Sequence, residues 1–391
     1  MNTRLLSWDQ YLDLLRPAGN LLKLTWRPDD PEYRADLYRQ LVMSIGYAYF
    51  QYFQSDAAHP DFMPLWNSVF LLQPNPDDVY YYAPLDAKHT YRIVGDRGTI
   101  HMVNFLFGHD MIGMVEPPAG STTYIDNKEL IVDKNGKFEF LFGTNKPTNF
   151  SGHWHQLDPR TDHVVVRMRS YDWGNEVDTR MAIECLDAPP LKPRMTPDET
   201  ARLLERALTL PERFGRLWFD YQNDLLKRIG KNAFELRRFT DMQGVPNQEY
   251  WTAIFDIDAE EALILETEIP TVCPYWNVQL NDPYFNAVEF VYRQASLNGH
   301  MARIDTDGKF RAVLSLEDPG VPNWLDPAGF KQGTIFGRWL QCDSAPLPRL
   351  KKVNYKDIRN HLPADTPIVS PSQRAEILGR RRLGAQMRRR W

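Results

Sequence analysis

Three clusters in this 391-residue chain combine residue types and spacings suited to chemistry. In Asn75-Pro76-Asp77-Asp78-Val79-Tyr80-Tyr81-Tyr82, Asn and Asp ahead of an aromatic run fit an Asx-type turn that starts a strand. Tyr80 and Tyr82 then share one strand face. The segment reads either as a turn that merely opens a strand or as polar groups at a sandwich mouth, with Asp77 as base and Tyr80 as proton donor. His153-Trp154-His155 puts two imidazoles on one face of a strand, and His101 and His163 lie on neighbouring apolar runs. Gln156, Leu157 and Asp158 then run into a turn, where a metal site of this type would need a further ligand. Strand histidines without a metal and a site built on His153 and His155 both remain open. The third cluster is Asp318-Pro319-Gly320-Val321-Pro322-Asn323-Trp324-Leu325-Asp326, followed on the next strand by Arg338-Trp339. Two prolines and a glycine restrict that loop and would hold Asn323 and Trp324 in fixed orientation. Arg338 could clamp a carboxylate, stack on a ring, or pair with Asp318 or Asp326.

Composition narrows the classes these residues can serve. The chain carries 20 Phe, 18 Tyr and 11 Trp, a heavy aromatic load that suits either a β-rich core or a pocket for a flat apolar ligand. Cys185, Cys273 and Cys342 are widely spaced, so no disulfide framework or thiolate zinc site is expected. No apolar run approaches the ~18–20 residues of a membrane helix, and no signal-peptide pattern opens the chain. The expectation is a cytoplasmic protein with no membrane partner. Net charge is −5, yet seven arginines fall between Arg374 and Arg390. Without aromatic–basic interleaving or a nucleic-acid module, that tail reads as a terminal helix from about 371, paired with the acidic body or a neighbouring subunit, and no nucleic-acid partner is expected. Trp-rich sandwich surfaces and the Arg tail leave room for a homo-oligomer. Glycine-rich nucleotide fingerprints, a P-loop and a G-x-S-x-G elbow are missing, which favours chemistry with no cofactor.

The elements that must position these residues follow from periodicity. Helices are expected over 1–60, where Tyr33, Leu37, Leu41, Ile45, Tyr49 and Phe53 recur every fourth residue. Short β runs separated by turns, including 91–95, 99–107, 121–125, 129–133, 137–143 and 163–173, mark a first sandwich over 61–190. Thr196, Pro197 and Glu199 open a helical connector over 191–245, with segments on either side of Pro211. Runs at 261–269, 275–281, 301–305, 310–316 and 333–341 mark a second sandwich over 246–345. An extension with the Arg-rich helix fills 346–391. The fold class is therefore β-rich α+β, with two β-sandwich or jelly-roll-like halves, a helical N-terminus, a helical divider and a C-terminal helix. No strict sequence repeat links the halves.

YWNVQLND (275–282), YRQASLNGHMARIDTDGKFRAVLSLEDPGVPNWLDPAG (292–329) and FGRW (336–339) resemble the bacterial family catalogued as domain of unknown function 1214. NPDDVYYYAPLD (75–86) and the R-x-Y-x-D-W segment Arg169-Ser170-Tyr171-Asp172-Trp173 are similar to its frequent N-terminal companion, domain of unknown function 1254, and to long members. The resemblance is dense over 260–345 and implies β-sandwiches and small-molecule catabolism. Together with the aromatic load, the expected activity is acid/base chemistry on an aromatic small molecule. Its sharpest form is a carbon–carbon lyase that releases formaldehyde from a lignin-derived phenolic dimer. Asp77, Tyr80 and His153 would move protons, and Asn75, Tyr82, Arg169, Tyr171, Trp173, Trp276, Asn323, Trp324 and Arg338 would bind substrate. The alternatives are a metal-dependent hydrolase or oxygenase using His153 and His155, and a carbohydrate-binding protein that stacks sugars on Trp324.

Overall fold

The computed structural model describes residues 5–66, 70–115, 117–239 and 244–388. Helix α1 (Trp8–Asp13) starts at a Ser7 capping box, and a 3-10 stretch, Arg16–Leu24, leads to α2 (Pro31–Tyr52). Nine strands follow: β1 (Met63–Pro64), β2 (Asp78–Pro84), β3 (Tyr91–Asp96), β4 (Met102–Gly108), β5 (Ser121–Ile125), β6 (Lys137–Gly143), β7 (Trp154–Gln156), β8 (His163–Arg169) and β9 (Arg180–Cys185). Helix α3 (Pro197–Ile229) divides them from β10 (Phe234–Arg237), β11 (Gln248–Asp256), β12 (Glu261–Glu268), β13 (Tyr275–Asn281), β14 (Ser296–Asn298), β15 (Lys309–Ser315), β16 (Trp324–Leu325), β17 (Gln332–Leu340) and β18 (Arg349–Asn354). Helix α4 (Pro371–Met387) closes the described chain from a Ser370 capping box.

The strands form four sheets, and their orders reveal a duplication. In the first half, β1-β2-β8-β4-β5 forms a five-stranded sheet and β7-β6-β3-β9 a four-stranded one. In the second, the orders are β10-β11-β17-β13-β14 and β16-β15-β12-β18. Adding nine to every strand number of the first half reproduces the second, down to the parallel β6–β7 and β15–β16 pairs. Even the turns correspond. Asp133 accepts from Gly136 and Asp305 from Gly308, both glycines at positive φ (81° and 80°), where a Cβ would be strained.

Strand alternation divides the side chains between two environments. Val79, Tyr81 and Ala83 face the core inside the first sandwich, and Trp251, Ala253 and Phe255 that inside the second. Tyr80, Tyr82, Tyr250 and Ile254 face the other way, into a shared core at the seam between the two five-stranded sheets. Helix α3 contributes Phe214, Trp218 and Tyr221 to that seam, and α2 contributes Tyr47, Ala48 and Tyr52. The strict every-fourth-residue face expected for α2 holds only at its start. Tyr33 and Leu37 are buried, but Ile45 and Tyr49 are exposed and the buried positions become Ser44, Tyr47, Ala48 and Gln51. Four residues turn a helix by about 400°, so such a series drifts about 40° per step away from a fixed contact face. Pro211 lies inside a continuous α3 rather than dividing it.

Runs 129–133 and 301–305 make single bridges, Val132–Phe138 and Ile304–Phe310, instead of strands. No helix among the described residues is long and apolar enough to cross a membrane.

The seam sheet of the second half tolerates little added volume. A Cβ on Gly337 of β17 would come within 2.0 Å of the indole of Trp251, which is fully buried. Gly337→Ala is expected to cost about 1–3 kcal/mol, seen as a lower urea midpoint. An unchanged midpoint would contradict this packing.

Candidate functional site

The duplication places equivalent side chains on both sides of the seam. In the first half Tyr80 on β2 pairs with Arg167 on β8, which pairs with Asn104 on β4. In the second half Tyr250 on β11, Arg338 on β17 and Asn277 on β13 stand at the same three positions. Each guanidinium lies over its tyrosine, Arg167 at 5.4 Å from the Tyr80 centroid and Arg338 at 5.6 Å from that of Tyr250. All four side chains line one cavity of about 50 Å³, walled further by Trp218 and Phe336. Space of that size holds a few waters or a small headgroup such as a carboxylate, whereas a cavity that admits benzene measures about 150 Å³.

Arg338 is buried and held in place by neutral groups. It donates to Gln279 Oε1 (2.7 Å), Asn277 Oδ1 (3.2 Å) and Gln73 Oε1 (2.6 Å). Asp318 and Asp326, its expected partners, are taken by Arg374 and Arg293. Tyr80 accepts a hydrogen bond from the Asn75 backbone N–H at 3.1 Å, and burial pushes its phenol up, so it stays protonated. With the oxygen accepting from Asn75, the hydroxyl proton can be directed to a ligand.

Beside the cavity lies a buried polar knot that joins the halves. Asp77 accepts from Trp173 Nε1 (2.9 Å), Asn298 Nδ2 (2.7 Å) and the Tyr275 hydroxyl (2.6 Å). Asn75 links Tyr275 to Asn277, donating to the phenol at 2.8 Å and accepting from Asn277 Nδ2 at 2.7 Å. The chain of contacts therefore runs from Asp77 to Arg338. Burial pushes the Asp77 carboxyl above its usual range, against the pull of its donors. Next to it, Asp78 forms a bidentate pair with Arg169 (2.5 and 2.7 Å), both fully buried, and the Arg169 guanidinium covers the Tyr275 ring at 4.1 Å. Burial alone would raise Asp78, but Arg169 outweighs it and holds the carboxyl below the usual range.

Of the residues expected to form one site, the seam gathers Asn75, Asp77, Tyr80, Arg169, Tyr171, Trp173 and Arg338. Tyr171 packs between His101 (4.9 Å) and Tyr275 (5.3 Å). Both oxygens of Asp77 are occupied, so it pins the halves together rather than facing the cavity. The others lie elsewhere, because strand parity and sheet assignment send them to different cores. His153 stands just before β7 of the four-stranded sheet, in contact with Phe140 and His155 and not with Asp77 or Tyr80. Tyr82 points to the seam but beyond the cavity, lining a separate cleft of about 410 Å³ with Tyr52. Trp276 is packed inside the second sandwich against Phe310 and Trp339. Asn323 spends its amide on Arg303 and Arg311 carbonyls, pinning its loop. Trp324 is buried beneath Arg374 with its indole N–H on Ser315 O, which removes it as a platform for sugars.

Burial draws His155 down to about 4 and His153 lower than usual, so both are neutral at pH 7. Among the described residues no three His, Cys, Asp or Glu side chains are placed to hold a metal ion. Of the arginines of α4, Arg374 pairs with an acid of the body, Asp318, as expected, whereas Arg381 turns inward onto the Phe290 and Ser296 carbonyls and Arg380 and Arg382 are exposed. Arg388, just after the helix, reaches Pro76 O and Met168 O beside the knot. Arg389 and Arg390 lie outside the described residues.

Arg167 and Tyr250 were not singled out from sequence. The signal that finds them is the alignment of β2 with β11 and of β8 with β17, which sequence similarity between the halves is too weak to supply.

No family model matches the chain, and no curated protein matches it. Solved structures do match. An uncharacterised protein from Burkholderia cenocepacia is similar at 27% identity with a TM-score of 0.83, over 89% of this chain and 97% of that one. The likeness therefore spans both sandwiches and not one half. The VPA0106 protein from Vibrio parahaemolyticus aligns at 13% identity with a TM-score of 0.46, over 87% of this chain and 100% of that one, too distant to inform the site.

The buried pair makes a pH-dependent contribution with a definite sign. With its native pKa below the unfolded value of about 3.9, Asp78 stabilises the fold above that pH, and this is lost as pH falls through the native pKa. Asp78→Asn leaves the Arg169 charge buried without its anion and is expected to cost about 3–5 kcal/mol at pH 7. Urea unfolding of both proteins from neutral pH into acid should show the gap narrowing below about pH 4. A gap constant with pH would contradict an ionised Asp78.

Proposed function

We propose that the seam cavity takes the carboxylate of a small organic acid, and that the protein acts on it by acid/base chemistry. The observation that carries this reading is the buried Arg338, oriented by three neutral side chains and facing a cavity walled by aromatic rings. A guanidinium without a carboxylate partner among the described residues favours an anion that brings its own charge. Arg167 stands at the equivalent position on the other side of the cavity. The cavity accommodates the headgroup, and at about 50 Å³ it favours short acids over ring-bearing ones. Tyr80 supplies a proton to the bound group. The resemblance to domains of unknown function 1214 and 1254, which implies small-molecule catabolic neighbourhoods, is compatible with a small-molecule ligand.

Release of formaldehyde from a lignin-derived phenolic dimer is a separate reading, which needs a larger site than this cavity and a base other than Asp77 or His153. A formaldehyde assay across a dimer panel tests it, and no turnover would remove that version while leaving acid binding to be judged separately.

Calorimetry with benzoate, hydroxybenzoates and short aliphatic acids, each beside its neutral amide, tests the site. Acids should bind at least about tenfold more tightly than their amides, and Arg338→Met should lower acid affinity about 10–100-fold while leaving amide binding unchanged. Equal binding of acids and amides, or undiminished acid binding by a folded Arg338→Met protein, would overturn the reading. For any acid that is turned over, Tyr80→Phe should lower kcat by about 100-fold or more with little change in KM.

A further inference from the structure

Cys273 and Cys342 are 69 residues apart in sequence, and folding brings them side by side as free thiols. Strands β13 and β17 are antiparallel, with Tyr275 opposite Leu340. Beyond that pair both chains bend, with Gln341 at positive φ (55°), and the Asp343 N–H donating to Val272 O at 3.0 Å ties the two bends together beside the thiols. The sulfurs are 2.9 Å apart, both residues are free thiols, and both are half-exposed.

We propose that Cys273 and Cys342 form a reversible dithiol–disulfide site that exchanges with low-molecular-weight disulfides. The Cys342 thiolate attacks one sulfur of the small disulfide, forming a mixed disulfide and expelling one small thiolate. Cys273 then gives up its proton and attacks the Cys342 sulfur, forming the Cys273–Cys342 bond and expelling the second small thiol. The two protein thiols lose two electrons, the small disulfide gains them, and both protons end on the small thiols. Either sulfur can donate in the contact between them, so the two thiols are interchangeable in the order of attack.

The location gives the bond a consequence. Both sulfurs lie 3.8 Å from the carbonyl oxygen of Tyr275, whose hydroxyl holds Asp77, and the two strands carry Asn277 and Arg338. Oxidation would staple the ends of the strands through which the second half grips the first. The site is independent of whether the seam cavity takes a carboxylate.

The test uses the full chain equilibrated in glutathione buffers from fully reduced to fully oxidised, quenched with acid and labelled with a maleimide. Reduced protein should carry three labels. Oxidised protein should carry one, on Cys185, with an unlabelled mass lower by two hydrogens and a Cys273–Cys342 cross-linked peptide after digestion. Cys273→Ser and Cys342→Ser proteins should each lose the cross-link and instead hold one glutathione on the remaining thiol. Retention of three labels in oxidised buffer by the native chain would overturn the proposal. So would glutathione adducts at Cys273 or Cys342 that persist without an internal bond.

Discussion

Asp77 is a carboxylate removed from water and surrounded by donors that come from both halves of the chain. Its desolvation is costly, and only a full set of hydrogen bonds makes the position tolerable. Trp173 is supplied by the first half, while Tyr275 and Asn298 come from the second. The knot therefore exists only when the two sandwiches are docked. Apolar packing at the seam is non-directional and would permit sliding between the sheets. The knot has fixed donors and acceptors, so it selects one register.

The same register brings Tyr80 and Arg167 into a shared cavity with Tyr250 and Arg338. Each guanidinium stands on a β-strand, beside an asparagine on one neighbour and a tyrosine on the other. Such a three-strand arrangement fixes a long side chain with little loss of precision, because the strands are buried on both faces. Duplication of one sandwich thus yields two equivalent cations, and docking aims them at one space. The tail reinforces this arrangement from outside, with Arg388 bonded to carbonyls beside Asp77 and Asp78.

Much of the architecture was legible from local pattern. The caps at Ser7, Thr196 and Ser370, the turn at Asp133–Gly136 and most strands of both halves appear where residue type and period place them. Local pattern failed where a contact is needed to complete an element. Runs 129–133 and 301–305 have strand composition but make one bridge each, since the strands they meet are already paired on both edges, β6 with β3 and β7 and β15 with β12 and β16. The drift of the buried face along α2 is likewise a property of what packs against it. Of the candidate site, the turn 75–80 and Arg338 were visible as polar residues in apolar surroundings. Their relation was not visible, because nearly 200 residues separate Asp77 from Tyr275 in the chain.

By itself, then, the amino-acid order determined the two β-rich halves, the helices between and around them, and a short list of polar and aromatic residues able to do chemistry. These are consequences of propensity and of periods of two and 3.6 residues, which operate over a few turns of chain. Tertiary structure alone decided which of those residues meet. It separated His153, Trp276 and Trp324 from Asp77 and Tyr80, brought Cys273 beside Cys342, and exposed the duplication that matches Arg167 with Arg338. The physical reason is that a strand pattern states which side chains share a face, but not which face is covered or by what. That is settled by sheet order and docking, where burial of polar groups must be satisfied across long separations in sequence.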